Sequence, residues 1–177
     1  MHIRILQPAD AQRYRALMLE AYELAADAFT STAAERRLET EAWWADRIAA
    51  ADGLRVAFCA EDGPQMLGTV ALEYTCGTKS RHSAGLIGMY VREHSRGRGV
   101  GRALLDVALA HAAQRPGVEV LRLTVTEGNE PALCLYRRAG FEAWGTQPMA
   151  ILTPSGYKGK VHMSCSLPPR GDHSKEL

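Results

Sequence analysis

Seven consecutive residues, Arg96-Gly97-Arg98-Gly99-Val100-Gly101-Arg102, carry the clearest chemistry in this sequence. Glycine lets backbone approach a ligand closely, and the interspersed arginines add charge and forked donors. The residues that follow, Ala103-Leu104-Leu105-Asp106-Val107-Ala108-Leu109, are apolar at helical spacing, so the loop opens a helix. The first turn of a helix leaves N–H groups without acceptors, and its dipole makes that end partly positive. Together these features form a cradle for a phosphate. Two familiar phosphate loops are excluded by single residues. A P-loop needs Lys and then Ser or Thr after its last glycine, and Arg102-Ala103 stands there. A G-x-G-x-x-G dinucleotide fingerprint needs glycine at position 102, and although Glu119 lies near the place of a ribose-binding acid, the pattern sits mid-chain after a hairpin.

Positioning this loop requires a strand before it, and the apolar run Leu86 to Val91 supplies one. Upstream, His2 to Leu6 alternates as a short strand. Pro8-Ala9-Asp10 starts a helix through about Ala25, with Leu17, Ala21 and Leu24 on one face. Ser31 or Thr32 caps a second helix, Ala34 to Ala49, carrying Leu38, Trp43 and Ile48. Leu54 to Ala60 and Met66 to Tyr74 read as antiparallel strands across the turn Glu61-Asp62-Gly63-Pro64-Gln65. Downstream, the loop's helix ends near Pro116-Gly117, and Val118 to Val125 alternates as a strand. That strand–helix–strand crossover predicts parallel pairing and a right-handed connection. Asn129-Glu130-Pro131 opens a helix through Arg138, which Ala139-Gly140 stops. Phe141 to Thr146 is a strand, Gln147 to Lys160 a Pro/Gly-rich loop, and Val161 to Leu167 a last strand. The pattern predicts one α/β (α+β) domain over residues 1–167, with a mixed, mostly antiparallel sheet of about seven strands and about four helices. The polar tail, 168–177, is expected to be disordered.

Two spaced motifs carry a resemblance. Arg96-x-x-Gly99-x-Gly101 is similar to the (Gln/Arg)-x-x-Gly-x-(Gly/Ala) signature of the GNAT superfamily, the acetyl-CoA-dependent N-acetyltransferases. Asn129-x-x-Ala132-x-x-Leu135-Tyr136-x-x-x-Gly140-Phe141 resembles the family's motif after its fifth strand. The order of elements also looks like the family's, so the resemblance covers about residues 2 to 167.

The resemblance implies that strands four and five are parallel and splayed, with the pantetheine arm of acetyl-CoA pairing in the opening like an added strand. The segment Met89-Tyr90-Val91 would hold that arm through the backbone of Met89 and Val91, and Gly88 would ease a bulge there. The pyrophosphate would lie on Arg96, Gly97, Arg98, Gly99, Val100, Gly101 and Arg102, chiefly on backbone N–H groups. Acetyl transfer passes through an oxyanion, and the implied donor is the Met89 N–H. Such a donor removes about 3 kcal/mol or more of a barrier at other oxyanion holes. Tyr136 matches the tyrosine that protonates the departing thiolate in many members. Asn129 can cap its helix, bond the pantetheine, or both.

The general base is less defined. Many relatives carry a Glu on strand four, where Ser83 to Gly88 holds no carboxylate; protein N-terminal acetyltransferases often carry one on strand five, where Thr124 stands. Glu73 on strand three is the first remaining candidate, followed by His82 and Glu127. Tyr22, Phe29, Trp43, Trp44 and Tyr74 are candidates for an acceptor pocket.

A net charge of +1 argues against a general nucleic-acid binder, which needs a broadly basic face. No stretch is long and apolar enough for a signal core or a membrane span, so a cytoplasmic protein without a membrane partner is expected. Cys59, Cys76, Cys134 and Cys165 are scattered without metal-ligand spacing, and no metal is expected. The implied partners are acetyl-CoA and an amine acceptor, with the chain a monomer or a homodimer. The expected activity is direct acetyl transfer to a primary amine of a small molecule. A protein N-terminal or lysine acetyltransferase and a non-catalytic CoA-binding regulatory module stand as alternatives.

Overall fold

Period-two alternation on the central strands divides their side chains between two cores. On β2 (Arg55–Asp62), Phe58 and Ala60 enter one core, while Ala57 and Cys59 enter the other. The sheet therefore needs cover on both faces. The computed structural model describes residues 1–168 and supplies that cover with helices on either side. The expected disorder of the tail lies outside the described residues from position 169 onward.

Seven strands form one sheet in the order β1-β2-β3-β4-β5-β7-β6. They are β1 (His2–Ile5), β2, β3 (Gln65–Tyr74), β4 (Ser83–Val91), β5 (Val120–Thr126), β6 (Glu142–Thr153) and β7 (Gly156–Ser166). Every adjacent pair is antiparallel except β4 with β5, which the crossover helix α4 (Val100–Gln114) joins in parallel. Leu104, Leu105 and Ala108 of α4 and Leu133 of α5 (Glu130–Arg138) pack on one face. Tyr14, Leu17 and Met18 of α1 (Ala11–Leu24) pack on the other, with Trp44. Tyr14 and Trp44 meet edge-to-face at 5.9 Å, fixing the helical layer over β2 and β3.

Two predicted elements differ from the structure. The single helix Ala34 to Ala49 is two helices, α2 (Ala33–Arg37) and α3 (Glu41–Ile48). Thr32 and Glu35 close a capping box on α2, and Thr40, in extended conformation, accepts from the Trp43 N–H at 3.2 Å to start α3. Leu38 falls in the break and is 87% exposed, so the apolar face that the sequence drew through it has nothing to cover. The Pro/Gly-rich loop of 147–160 is mostly hairpin, with β6 and β7 paired through Thr153 and Gly156. Proline cannot donate to a ladder, and Pro148 is accommodated because the register slips between Gln147 and Ile151 on an edge strand.

The start of the chain is fastened by charge. The Arg4 guanidinium contacts both Asp10 oxygens at 2.7 Å and Glu61 at 2.9 Å, tying β1 and the entry to α1 onto β2. Hydrogen bonding from Arg4 holds the Asp10 carboxyl down at about 2. A carboxyl depressed on folding contributes stability above its unfolded value, near 4, and loses it as pH falls toward 2. We expect Asp10→Asn to cost about 2 kcal/mol in urea unfolding at pH 7. The gap between wild type and variant should narrow at pH 2.5; a gap independent of pH would refute the linkage.

Candidate active site

β4 and β5 pair for only three residues, Ser83 with Val120, Ala84 with Leu121 and Gly85 with Arg122. Beyond that point β5 stays paired to β7 as far as Thr126, whereas β4 bulges. Between the pairs Ala71–Ile87 and Thr69–Tyr90, both Gly88 and Met89 stand opposite Val70. Gly88 takes φ +61°, a left-handed value at which a side chain is strained. The extra residue interrupts the β3–β4 ladder at the place where β4 parts from β5. Splay and bulge together open a slot through the sheet, with a cavity volume of about 360 Å³, in the range of small-ligand sites. Tyr22 and Phe29 line it from the α1 side, Met89 and Thr126 from the strands, and Tyr136 from α5.

The Arg96–Arg102 loop abuts this slot. A Cβ placed on Gly101 would stand 3.4 Å from Leu135 and 3.6 Å from Met89, and both of those residues line the opening. Gly97 and Gly99 adopt left-handed conformations (φ +71° and +79°), with nothing within 4 Å of where a Cβ would be. None of the backbone N–H groups from Gly97 to Arg102 meets an acceptor among the described residues; Ala103 is the first to bond back, to the Gly99 carbonyl. The loop and the first turn of α4 thus present a run of free donors at a helix N-terminus, next to the slot. The arginine side chains are less concerted. Arg96 Nε donates to the Val91 carbonyl at 3.0 Å, and Arg102 is turned onto Asp106 at 2.8 and 2.9 Å. Arg98 is exposed. The anion-binding capacity resides mainly in the backbone.

On the α5 side, Asn129 caps the helix through Oδ1, which accepts from the Ala132 N–H at 3.3 Å, while also lining the slot. The capping role is thus present, and the same residue stands at the edge of the slot. Tyr136 is buried against Phe141, ring centroids 5.7 Å apart, and its hydroxyl has no partner among the described residues. Burial pushes its pKa upward, so the hydroxyl keeps its proton at neutral pH.

The structure does not bring Glu73 to this place. Glu73 pairs with Gly85, at the closed end of the splay, roughly 13 Å along β4 from Met89 at strand rise. Its carboxylate accepts from Arg55 Nε at 2.9 Å and lines a separate depression with Arg122. His82 is also at that end, next to the start of β5, and Glu127 is exposed beyond Thr126. Of the proposed pocket aromatics, Tyr22 and Phe29 line the slot. Trp44 is core, Trp43 lies under Arg36 and Arg47, and Tyr74 lines the other depression beneath Arg115, 3.9 Å away.

Sequence reasoning missed Lys160, Arg36, Arg47 and Thr126, all of which line the slot. Extending the alternation of Val161, Met163 and Cys165 back through Gly159 would have placed Lys160 on the α1–α3 face. Arg36 and Arg47 carry no comparable signal.

The acetyltransferase (GNAT) family model matches residues 18–141. A mycothiol acetyltransferase of Geodermatophilus obscurus is 34% identical over 100 residues, 56% of this chain and 27% of that protein. The L-methionine sulfoximine/L-methionine sulfone acetyltransferase of Pseudomonas aeruginosa is 40% identical over 60 residues, 34% of each. The matches thus span about a quarter to a third of the length of these relatives. The Salmonella typhimurium protein yncA, solved with its cofactor acetyl-CoA, shares the fold at a TM-score of 0.78 and 19% identity, covering 99% of each chain. Because the family model covers well over half of the sequence, the chain belongs to the GNAT acetyltransferase family.

Proposed function

We propose that this chain is an N-acetyltransferase that moves acetyl from acetyl-CoA to a primary amine of a small molecule, by direct attack in a ternary complex. The observation that carries the reading is the junction at Gly101, where unclaimed backbone donors meet a slot opened by the β4 bulge. When bound, acetyl-CoA supplies the activated acetyl group. The N–H groups of Gly97 to Arg102 fit its pyrophosphate, and the backbone of Met89-Tyr90-Val91 fits an extended arm along the free side of β4. The Met89 N–H, at the bulged position opposite Val70, is the candidate oxyanion donor. The Tyr136 hydroxyl, neutral and without a competing partner, is the candidate proton donor to sulfur. No Asp or Glu among the described residues lines the slot, which leaves water as the candidate acceptor of the amine's proton. The small volume of the slot and the P. aeruginosa relative's amino-acid-like substrates support a small acceptor.

The test is a thiol-release assay with acetyl-CoA against a broad panel of small amines and peptides. Release with small amines, and little with peptides, is the expected result. Binding of CoA without release from any amine would favour the regulatory module, and preference for peptides would move the assignment to protein acetylation.

A further inference from the structure

Lys160 is a buried cation with no anionic partner among the described residues. It is 6% exposed, and Nζ donates to Thr126 Oγ1 at 2.8 Å and to the Ala28 carbonyl at 3.3 Å. Thr126 Oγ1 spends its own proton on the Asp27 carbonyl at 2.6 Å, so it meets Lys160 as an acceptor. An ammonium carries three donors, which leaves one over. Neither neighbouring carboxylate forms an ion pair with it. Asp27 holds Lys158 at 2.6 Å, and Glu127 lies against Gly159, 2.8 Å from where its Cβ would be. Burial disfavours the charged form, in line with the absence of a counter-ion.

Lys160 shares the slot with Arg36 and Arg47, both stacked on Trp43 at 4.6 and 5.2 Å. Arg36 is paired with Glu39 at 3.0 Å, while Arg47 has no carboxylate partner among the described residues. Among the described residues, three cations and no carboxylate therefore line the slot. These groups stand apart from the phosphate-binding loop. The loop opens α4, which covers one face of the sheet, whereas Arg36 and Arg47 come from α2 and α3 on the other face, and Lys160 reaches Ala28 beside α1. Tyr22 and Phe29 wall that same side. A buried cation lacking an anion is costly, and an entering anion offsets that cost.

We infer that the acceptor amine carries a carboxylate, as amino acids do, and that Lys160 together with Arg47 receives it. The inference rests on the acetyl-transfer reading for its consequence in turnover. It also excludes polycations: a polyamine entering this slot meets like charge and leaves Lys160 uncompensated.

The test takes L-amino acids, their primary amides, the matching decarboxylated amines and spermidine as acceptors with acetyl-CoA. For the best amino acid, kcat/KM should exceed that of its amide and of its decarboxylated amine by at least 100-fold, with spermidine poorest. Lys160→Met should shrink the acid-over-amide ratio by at least 30-fold, and Lys160→Arg should restore most of it. A purely structural lysine would lower both substrates together and leave the ratio intact, which would overturn the inference; so would equal use of acids and amides by the wild type. If Lys160→Met does not fold, Arg47→Gln reads the same ratio. Calorimetric binding of N-acetyl-amino acids against their amides, with CoA present, is independent of turnover. Lys160-dependent preference for the acid there, with no thiol release from any amine, would sink acetyl transfer yet keep the carboxylate site; equal binding of acid and amide would remove the site.

Discussion

Gly99→Glu should weaken acetyl-CoA binding by 100-fold or more, equivalent to about 3 kcal/mol. The glycine adopts φ +79°, and the side chain it lacks would project into space that no protein atom occupies within 4 Å of Cβ. Glutamate there sets a carboxylate among N–H groups that have no other acceptor, occupying them itself and repelling a pyrophosphate. The left-handed backbone adds strain of about 1–2 kcal/mol for a side-chain-bearing residue, which lowers thermal stability by a few degrees. Gly99→Asn separates the two effects, because asparagine tolerates that conformation and brings no charge. Calorimetric titration with acetyl-CoA should find Asn within about tenfold of wild type on this argument, and Glu far below it. Wild-type affinity in Gly99→Glu would mean that the loop is not the phosphate cradle.

Tyr136→Phe should lower kcat by about 100-fold, the lower range for loss of a positioned proton donor, while leaving acetyl-CoA affinity within a few fold. The structure makes this substitution unusually clean. The hydroxyl bonds to nothing among the described residues, so removing it strands no partner, and the ring contact with Phe141 remains. A fall in kcat without a fall in stability isolates chemistry from packing. Burial raises the tyrosine pKa, so its proton is retained at neutral pH, and any loss of wild-type rate from Tyr136 ionisation should set in at higher pH than for a free tyrosine. An unaltered kcat in the phenylalanine variant would assign the proton to another donor or to water.

Legibility in the sequence followed the range over which each feature is encoded. The glycine loop and the helix it opens were readable because the parts are consecutive: strand, glycines, helix start. The β4–β5 crossover was readable because alternation on both strands and one intervening helix leave little freedom of topology. Glu73 shows the limit of such reasoning. Its strand does neighbour β4, but the register that pairs it with Gly85 rather than with Met89 depends on a bulge at Gly88 and on the whole sheet. The break before Thr40 was missed because a threonine within an apolar periodicity is compatible with either a continuing helix or a new cap. The long β6–β7 hairpin was hidden by Pro148 and Gly159, which read as loop; Pro148 is absorbed where the register slips on the edge strand β6, opposite Gly159 of β7. The side of the slot opposite α4 was least readable. Tyr22, Arg36, Arg47, Thr126 and Lys160 come from five different elements and meet only through tertiary packing.

The division of the second helix localises the effect of substitution. Because α2 is only five residues long, it is below the length at which a helix persists alone, and its own capping box, with its packing on α1, holds it. Substitutions there act on a small, separately terminated unit, costing a few tenths to about 1 kcal/mol when they stay on the outer face. The bulge, the splay and the glycine loop are instead tied into the sheet and α4. Substitution can therefore alter the α2 wall of the slot while leaving the bulge, the splay and the glycine loop in place.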